Sequence, residues 1–180
     1  GANNTATCTP TLTVEDTTTP VITTCPSDET VSAGPTCSVN LPDFTGSVVA
    51  SDNCTLAGNL LITQVPTAGT AVSTGDHLVT LYVEDAAGNE TSCQLTYTVE
   101  DVTAPVITRN GTSPVTVQCG STYVDAGATA TDNCDGDLTT SISTVNPVNT
   151  ALVGSYTVTY NVTDSAGNPA TQRTRMVNVV

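Results

Sequence analysis

A near-repeat of ten residues divides the chain into two similar halves. The stretch VEDTTTPVIT begins at Val14, and VEDVTAPVIT begins 85 residues later, at Val99. Each copy is followed, in the same order, by an Asp-Asn-Cys loop and an Asp-x-Ala-Gly-Asn turn. Self-similarity at a fixed period is typical of repeated structural units. We therefore predict two homologous domains, residues 17–100 and 101–180.

Both halves carry the alternating pattern of half-buried β-strands. The segments HLVTLYVED, from His77, and SYTVTYNVTD, from Ser155, alternate polar with apolar residues and are rich in β-branched side chains. SCQLTYTVE and RTRMVNVV repeat the pattern after a turn, and Gly, Asn, Asp and Pro clusters separate the segments. No stretch has a helical period. We therefore predict an all-β fold of tandem immunoglobulin-like β-sandwiches in an extended array.

The first residues of the chain match the end of the first predicted domain. In GANNTATCTPTLTVED, Cys8 aligns with Cys93 and Asp16 with Asp101. We therefore expect residues 1–16 to be the last strand of a preceding domain, with Cys8 unpaired within the chain and bonded to a cysteine outside it. The spacing match argues against a disordered terminus. A strand donated to a neighbouring copy is also disfavoured, because both domains already carry their own final strand.

Acidic residues dominate the charge of the chain. It has 17 acidic residues, three arginines and no lysine, for a formal net charge of −14. This balance excludes nucleic acid as a partner, because phosphate contacts need Lys and Arg, and it disfavours anionic membrane surfaces. It suits a chain that binds cations. No apolar run approaches the ~20 residues of a membrane-spanning helix, so we expect no membrane insertion.

The cysteine content indicates an oxidising, extracellular compartment. The chain has seven cysteines, no Cys-x-x-Cys pair and a single histidine, so disulfides suit it better than zinc sites. The second half lacks cysteine at both positions that match Cys25 and Cys93, which suggests that these two are bonded to each other. Matching the remaining cysteines by position completes the predicted set of disulfides: Cys25–Cys93, Cys37–Cys54 and Cys119–Cys134.

Acidic residues gather at three places in each half: the linker, the Asp-Asn-Cys loop and the Asp-x-Ala-Gly-Asn turn. In an immunoglobulin-like topology these places lie at one pole of the domain. Converging carboxylates repel one another unless a cation lies among them, and oxygen ligands without His or Cys favour calcium. The predicted calcium ligands are Asp16, Asp52, Asp85 and Asn89 in the first half, and Asp101, Asp132, Asp135, Asp137, Asp164 and Asn168 in the second.

A metal-free explanation of this pattern stays open, because Asp, Asn and Gly also form turns on their own. In the first half, with four candidate ligands, turn formation and calcium binding account for the pattern equally well. The six candidates in the second half favour calcium. Since Asp16 and Asp101 lie in linkers, a bound ion is expected to join consecutive domains and stiffen the joint.

Each half resembles a known family of extracellular domains. Residues 17–100, with PVITTCP, DNC and EDAAGNETSC, resemble a HYR (hyalin repeat) domain. Residues 102–180, with APVI, DAGATATDNCDGDLT and VGSYTVTYNVTDSAGN, are similar to a bacterial Ig-like domain. The resemblance implies an immunoglobulin-like sandwich and a role in adhesion, or as a spacer, in large cell-surface proteins. Fold alone does not determine function.

These observations predict a non-enzymatic stalk or filament segment of a large extracellular bacterial surface protein. Its expected partners are neighbouring domains of the same long chain or fibre, with a recognition tip of unknown ligand elsewhere. Neither a nucleophile elbow nor a phosphate-binding loop is present. The alternative is an accessory or glycan-binding module of a secreted enzyme. Sugar sites usually need exposed aromatic residues, and here Trp is absent and only Tyr123 and Phe44 lie near loops.

Overall fold

The chain folds into β-strands joined by loops, without an α-helix. The computed structural model describes residues 1–180 and contains fifteen strands, three short 3-10 helices and no α-helix. The predicted all-β class is therefore confirmed. Strand-rich structure follows from the abundance of Thr and Val, whose branched side chains fit a pleated, half-buried surface.

Eight strands lie within the first hundred residues and form three small sheets. The sheet orders are β1–β4, β2–β8–β7–β5 and β3–β6. The strands are β1 (Val21–Thr24), β2 (Glu29–Ser32), β3 (Ser38–Asn40), β4 (Val49–Ser51), β5 (Leu61–Val65), β6 (Ala71–Ser73), β7 (Gly75–Glu84) and β8 (Glu90–Glu100). Two 3-10 helices, Thr45–Ser47 and Ala57–Asn59, lie between strands.

The long strand β7 shows why the alternating pattern predicted the fold. Its residues Val79, Leu81 and Val83 are fully buried, while the residues between them are half-buried. Successive side chains of a strand point to opposite faces of the sheet, so one face of β7 packs into the apolar core. Strand β8 alternates in the same way.

Seven strands of the second half form two sheets, with orders β10–β15–β14–β13 and β12–β11–β9. Strand β10 runs parallel to β15, and the other paired strands are antiparallel. The strands are β9 (Val106–Arg109), β10 (Val115–Val117), β11 (Ala128–Asp132), β12 (Gly136–Asp137), β13 (Ser143–Val145), β14 (Gly154–Asn161) and β15 (Arg173–Val179). A third 3-10 helix, Thr139–Ser141, precedes β13.

Both sheets of the second half contribute to one apolar core. Ile107 and Ala130 come from the sheet that contains β9 and β11, while Val158 and Val177 come from the sheet that contains β14 and β15. All four side chains are at most 2% exposed. Two sheets whose inner faces share one core form a β-sandwich, as the sequence predicted.

A buried ion pair lies inside this sandwich. Arg175, which is 1% exposed, pairs with the carboxylate of Asp125. The hydroxyl of Tyr160 donates to Asp125 Oδ2 at 2.7 Å, and that of Tyr123 donates to Asp125 Oδ1 at 2.8 Å. Burial acts to raise the pKa of Asp125, but the two tyrosine hydrogen bonds and the Arg175 charge outweigh it and hold that pKa below its usual value.

The backbone divides into two compact units, named here unit 1 and unit 2. Unit 1 comprises Gly1–Glu29, Leu41–Thr70 and Leu78–Thr96, and unit 2 comprises Thr30–Asn40, Ala71–His77 and Tyr97–Val180. Because both units are discontinuous in sequence, the domain boundaries 17–100 and 101–180 stay a prediction. Residues 1–16 form no strand, and all but the last of them are exposed. Their assignment to a preceding domain also stays a prediction.

Two disulfides are formed, and only one of them is in the predicted set. Cys25 is bonded to Cys93, as predicted. Cys37 is bonded to Cys134, so the predicted pairs Cys37–Cys54 and Cys119–Cys134 are wrong. Free thiols remain at Cys8, Cys54 and Cys119, all of them exposed.

The loop that follows β2 explains this correction. Cys37 has a φ of +55°, in the left-handed region, and it is the one non-glycine residue of the chain with positive φ. In the same loop the carbonyl of Gly34 accepts a hydrogen bond from Asn133 Nδ2 at 3.4 Å. The loop thus lies against the Asp-Asn-Cys loop of the second half, where Cys134 is within bonding reach. Residue spacing along the chain does not reveal this contact.

Removal of the Asp125 carboxylate is expected to destabilise the second sandwich strongly. The Asp125→Ala variant leaves the buried Arg175 without its charged partner, which should lower the free energy of unfolding by about 3–5 kcal/mol. Because the folded state lowers the pKa of Asp125, the wild-type contribution is present above about pH 4 and is lost as pH falls through the folded pKa. Urea unfolding at pH 7 and pH 3 tests both points. A variant as stable as wild type at pH 7 contradicts this account.

Loss of the Cys25–Cys93 disulfide is also expected to destabilise the fold. The bond closes a loop with a sequence separation of 68 residues. In the chain-entropy model, its removal in the Cys25→Ser/Cys93→Ser variant costs about 3–4 kcal/mol. Thermal unfolding followed by circular dichroism measures the effect. The matched control is Cys8→Ser, which replaces an exposed free thiol and should leave the melting temperature unchanged. If the control lowers the melting temperature as much as the Cys25→Ser/Cys93→Ser variant does, the bond has no structural role.

Candidate functional site

A group of three carboxylates lies in unit 1. One oxygen from each of Asp16, Asp52 and Asp85 lies within 4.8 Å of the other two. Asp16 is in the linker that precedes β1, Asp52 directly follows β4, and Asp85 directly follows β7. Chain segments far apart in sequence therefore bring three like charges together. We name this set the first carboxylate group.

In two members of the group, one oxygen is hydrogen-bonded and the other is not. Asp16 Oδ1 accepts from the Thr18 backbone N–H at 3.1 Å. Asp52 Oδ2 accepts from the N–H groups of Cys54 at 2.9 Å and Thr55 at 2.8 Å. The remaining oxygens, Asp16 Oδ2 and Asp52 Oδ1, are buried without any hydrogen-bond partner. Burial of a polar atom without a partner is costly, so each of these oxygens needs an explanation.

The third carboxylate belongs to a tight turn. Asp85 Oδ1 accepts from the backbone N–H groups of Ala87 and Asn89, both at 2.8 Å. Gly88 makes the turn possible with a φ of +88°, a conformation that side chains disfavour. Burial acts to raise the pKa of Asp85, but hydrogen bonds from Asn89, Ala87 and Gly88 outweigh it and hold the pKa below its usual value. Asp85 is therefore a carboxylate anion at neutral pH.

The same turn holds the linker in place. Asn89 Nδ2 donates to Asp85 Oδ2 at 2.7 Å and to the backbone carbonyl of Asp16 at 3.1 Å. These bonds use the amide nitrogen of Asn89, so its predicted role as a metal ligand through Oδ1 stays a prediction. What the structure shows is a positioning role: the Asn89 side chain fixes the linker beside the turn.

Unit 2 repeats this arrangement with a second carboxylate group. Asp101 Oδ1 accepts from the Thr103 N–H at 2.9 Å, and Asp132 Oδ1 accepts from the Cys134 N–H at 2.7 Å. Asp101 Oδ2 and Asp132 Oδ2 are buried without a partner. Cys134 Sγ lies within 4.8 Å of these carboxylates, but it is bonded to Cys37 and is no thiolate ligand.

The turn of unit 2 also matches that of unit 1. Asn168 Nδ2 donates to Asp164 Oδ2 at 2.9 Å and to the carbonyl of Asp101 at 3.1 Å. Gly167 has a φ of +95°. Asp164, although predicted as a ligand, is occupied by this turn, and the carboxylates gathered within 4.8 Å are those of Asp101 and Asp132.

Two further predicted ligands in unit 2 accept hydrogen bonds from residues outside the second group. Asp135 accepts from the Ser165 N–H at 2.6 Å and from its hydroxyl at 2.7 Å, which uses both carboxylate oxygens. Asp137 Oδ1 accepts from the Thr139 N–H at 2.9 Å. These hydrogen bonds hold the pKa of each carboxylate below its usual value. The structure therefore does not bring Asp135 or Asp137 into the second group, whereas all three aspartates predicted in the first half lie together in the first group.

The chemistry of both groups fits a hard cation. Their unpartnered oxygens are carboxylate oxygens, which are the ligands that Ca²⁺ prefers. The three arginines of the chain are bonded elsewhere: Arg109 to the Thr174 carbonyl, Arg173 to the Ile107 carbonyl and Arg175 to Asp125. No guanidinium is therefore available to neutralise either group.

The two loop aromatics do not offer a sugar-binding surface. Phe44 is only 7% exposed, and the half-buried Tyr123 donates its hydroxyl to Asp125. Flat, exposed aromatic rings are what sugar sites commonly use, so these positions lend no support to glycan binding.

The positioning role of the two asparagines was missed from the sequence. The signal was present, because Asp-x-Ala-Gly-Asn recurs in both halves before the final strand. The sequence pattern was interpreted as a source of oxygen ligands, whereas in the structure the asparagine amide ties the linker carbonyl to the turn.

Comparisons with known proteins agree with the repeat pattern. Residues 15–99 match the family model of the HYR domain, and residues 107–179 match that of the bacterial surface protein, Ig-like domain. Hyalin of Strongylocentrotus purpuratus is 37% identical, over 94% of this chain and 14% of its own length. The outer cell wall protein of Brevibacillus brevis is 33% identical, over 72% of this chain and 14% of its own length. The chain thus spans about one seventh of these relatives.

Among solved structures, human protocadherin-24 EC1-2 aligns with 91% of this chain and 99% of its own, at 14% identity and a TM-score of 0.41. No helix of the structure has the length and apolar character needed to cross a bilayer. The family matches agree with the fold and with the motifs of both halves. The chain consists of a HYR domain followed by a bacterial surface Ig-like domain.

Proposed function

We propose that the chain is a non-enzymatic segment of a long extracellular surface protein, in which disulfides and calcium stiffen an adhesive or structural stalk. Both domain types support a surface role, and the relatives are named hyalin and outer cell wall protein. The chain matches only 14% of the length of each relative, which supports a place in a larger array. The two disulfides suit an oxidising environment outside the cell.

The observation that carries the calcium proposal is a set of four buried carboxylate oxygens without partners. They belong to Asp16, Asp52, Asp101 and Asp132. Hydrogen bonds within the protein account for the other oxygen of each carboxylate, so turn formation alone leaves these four unexplained. A cation among them supplies the missing interaction and offsets the repulsion between like charges.

Each group contains one carboxylate from a linker and one from an Asp-Asn-Cys loop. In unit 1, Asp16, Asp52 and Asp85 would hold the ion, and in unit 2 Asp101 and Asp132 would do so. When bound, calcium supplies positive charge and flexible oxygen coordination that protein, backbone and water oxygens complete. The protein contributes the prior positioning of the linker by Asn89 and Asn168. Binding would therefore resist movement of each linker away from its loop.

Asparagine substitutions separate metal binding from turn formation. In Asp52→Asn and Asp132→Asn, the side chain keeps one oxygen to accept the backbone hydrogen bonds of its turn, and an amide NH₂ replaces the unpartnered oxygen. The matched control is Glu29→Gln, which removes the same charge from an exposed position of β2. Each of the three substitutions removes one negative charge, so the double variant of the two aspartates removes one charge more than the control.

We expect calcium to stabilise the wild-type chain relative to a chelator. At a calcium concentration 100 times its Kd, the gain is about 2.7 kcal/mol, enough to raise the melting temperature by at least ~4 °C. The Asp52→Asn/Asp132→Asn double variant should lose this rise, while Glu29→Gln should keep it. Without calcium, the double variant should melt no lower than wild type, because the substitution relieves repulsion.

Scanning calorimetry in calcium and in EDTA measures these differences. Equal melting temperatures of the wild-type chain in both buffers would contradict the calcium proposal. A calcium-dependent rise that persists in the double variant would place the ion elsewhere and contradict these ligands.

A further inference from the structure

The Cys37–Cys134 disulfide joins two kinds of loop that each occur twice in the chain. Cys37 lies in the loop after β2, and Cys134 lies in the Asp-Asn-Cys loop after β11. Asn133 Nδ2 contacts Cys134 Sγ at 3.4 Å and also donates to the Gly34 carbonyl of the other loop at 3.4 Å. The bond is thus accompanied by a hydrogen bond between the same two loops.

Cys54 has the local geometry of the bonded Cys134 but forms no disulfide. Its N–H donates to Asp52 at 2.9 Å, as the N–H of Cys134 donates to Asp132 at 2.7 Å. Asn53 Nδ2 contacts Cys54 Sγ at 3.2 Å, matching the neighbouring asparagine beside Cys134. Cys54 is exposed and free. The loop around Cys54 therefore repeats the local structure on the Cys134 side of the Cys37–Cys134 disulfide, without the bond.

The loop that carries Cys119 begins in the same way as the loop that carries Cys37. The Cys119 N–H donates to the Val180 carbonyl at 2.8 Å, at the end of β15, as the Ala33 N–H donates to the Glu100 carbonyl at 2.7 Å, at the end of β8. In both loops a glycine follows the donor residue: Gly34 follows Ala33, and Gly120 follows Cys119. Cys119 therefore occupies the position of Ala33, which precedes the bonded Cys37 in its loop and is followed by Gly34, whose carbonyl contacts the Asp-Asn-Cys loop. Cys119 too is exposed and free.

We propose that Cys119 and Cys54 are the two halves of a further disulfide joint of the same kind, formed between copies of this two-domain unit. Cys119 of one copy bonds to Cys54 of the next, whether the copies belong to one longer chain or to separate chains. The inference rests on the proposed role in a repeated array. It assigns partners to two of the three free thiols, and it links copies head to tail because the two halves are different.

The bond forms by thiol–disulfide exchange with a small-molecule disulfide such as oxidised glutathione. The thiolate of one cysteine attacks the glutathione disulfide and releases one glutathione thiolate. The thiolate of the other protein cysteine then attacks the mixed disulfide and releases the second. Two protein thiols and one glutathione disulfide thus give one protein disulfide and two molecules of glutathione.

The first test mixes two full-length variants that each keep one thiol of the pair. Cys8→Ser/Cys54→Ser retains only Cys119 as a free thiol, and Cys8→Ser/Cys119→Ser retains only Cys54. In a glutathione redox buffer, we expect the mixture to give at least about tenfold more disulfide-linked dimer than either variant alone. Non-reducing electrophoresis measures the yield, and peptide mapping identifies the bonded cysteines. The control Cys54→Ser/Cys119→Ser, with only Cys8 free, reports random oxidation of an exposed thiol.

The second test places two copies in one chain. Val180 of the first copy is followed directly by Asp16 of the second, which reproduces the order of Glu100 and Asp101, and only Cys119 of the first copy and Cys54 of the second are left free. A bond in this tandem chain alone assigns the joint to one longer chain. A bond in the mixture as well extends it to separate chains, and both outcomes support the proposal.

Absence of the Cys119–Cys54 bond from both tests overturns the proposal. Dimers of each variant alone that form as readily as mixed dimers overturn it too, because they indicate unselective oxidation. The rise in melting temperature on addition of calcium, measured on the same variants, tests the proposed function independently of the disulfide. Loss of the bond with retention of the calcium effect would reject the joint and leave the calcium proposal standing.

Discussion

Attachment of each linker to its Asp-x-Ala-Gly-Asn turn is the interaction on which the arrangement of both sites depends. Asn89 Nδ2 binds the Asp16 carbonyl, and Asn168 Nδ2 binds the Asp101 carbonyl. Each bond holds a linker aspartate beside a loop aspartate, so that carboxylate oxygens become buried together. Each turn depends on a glycine with positive φ, Gly88 or Gly167. The turn thus determines where the linker and loop carboxylates come together.

Burial of like charges in a chain with net charge −14 and only three arginines has a free-energy cost that protein groups do not offset. Hydrogen bonds satisfy one oxygen of Asp16, Asp52, Asp101 and Asp132 and leave the other without a partner. The proposed cation would supply the missing interaction. Thin apolar cores give such domains little stability to spare, which makes disulfides and metal binding natural means of stiffening them.

Features with a local or repeated signal could be predicted from the sequence. The strands β7, β8, β14 and β15 follow from alternation along the chain, and Cys25–Cys93 follows from the joint absence of both cysteines in the second half. The Cys37–Cys134 bond has no such signal, because it depends on which loops meet in space. Likewise, the sequence predicts Asp135 as a ligand, but its carboxylate accepts a hydrogen bond from Ser165 of a loop 30 residues away in sequence. The sequence shows which linkers, loops and turns carry acidic residues, whereas only the structure shows which of their carboxylates lie close together.

Direct measurement of calcium binding tests the central claim, that the unpartnered oxygens of the two carboxylate groups form cation sites. Isothermal titration calorimetry of the chelator-stripped chain should give saturable binding of Ca²⁺ at pH 7. This binding should disappear when Asp52 and Asp132 are both replaced by asparagine, and it should persist when Glu29 is replaced by glutamine. A wild-type chain without saturable binding, or a doubly substituted chain that binds calcium as wild type does, would contradict the account.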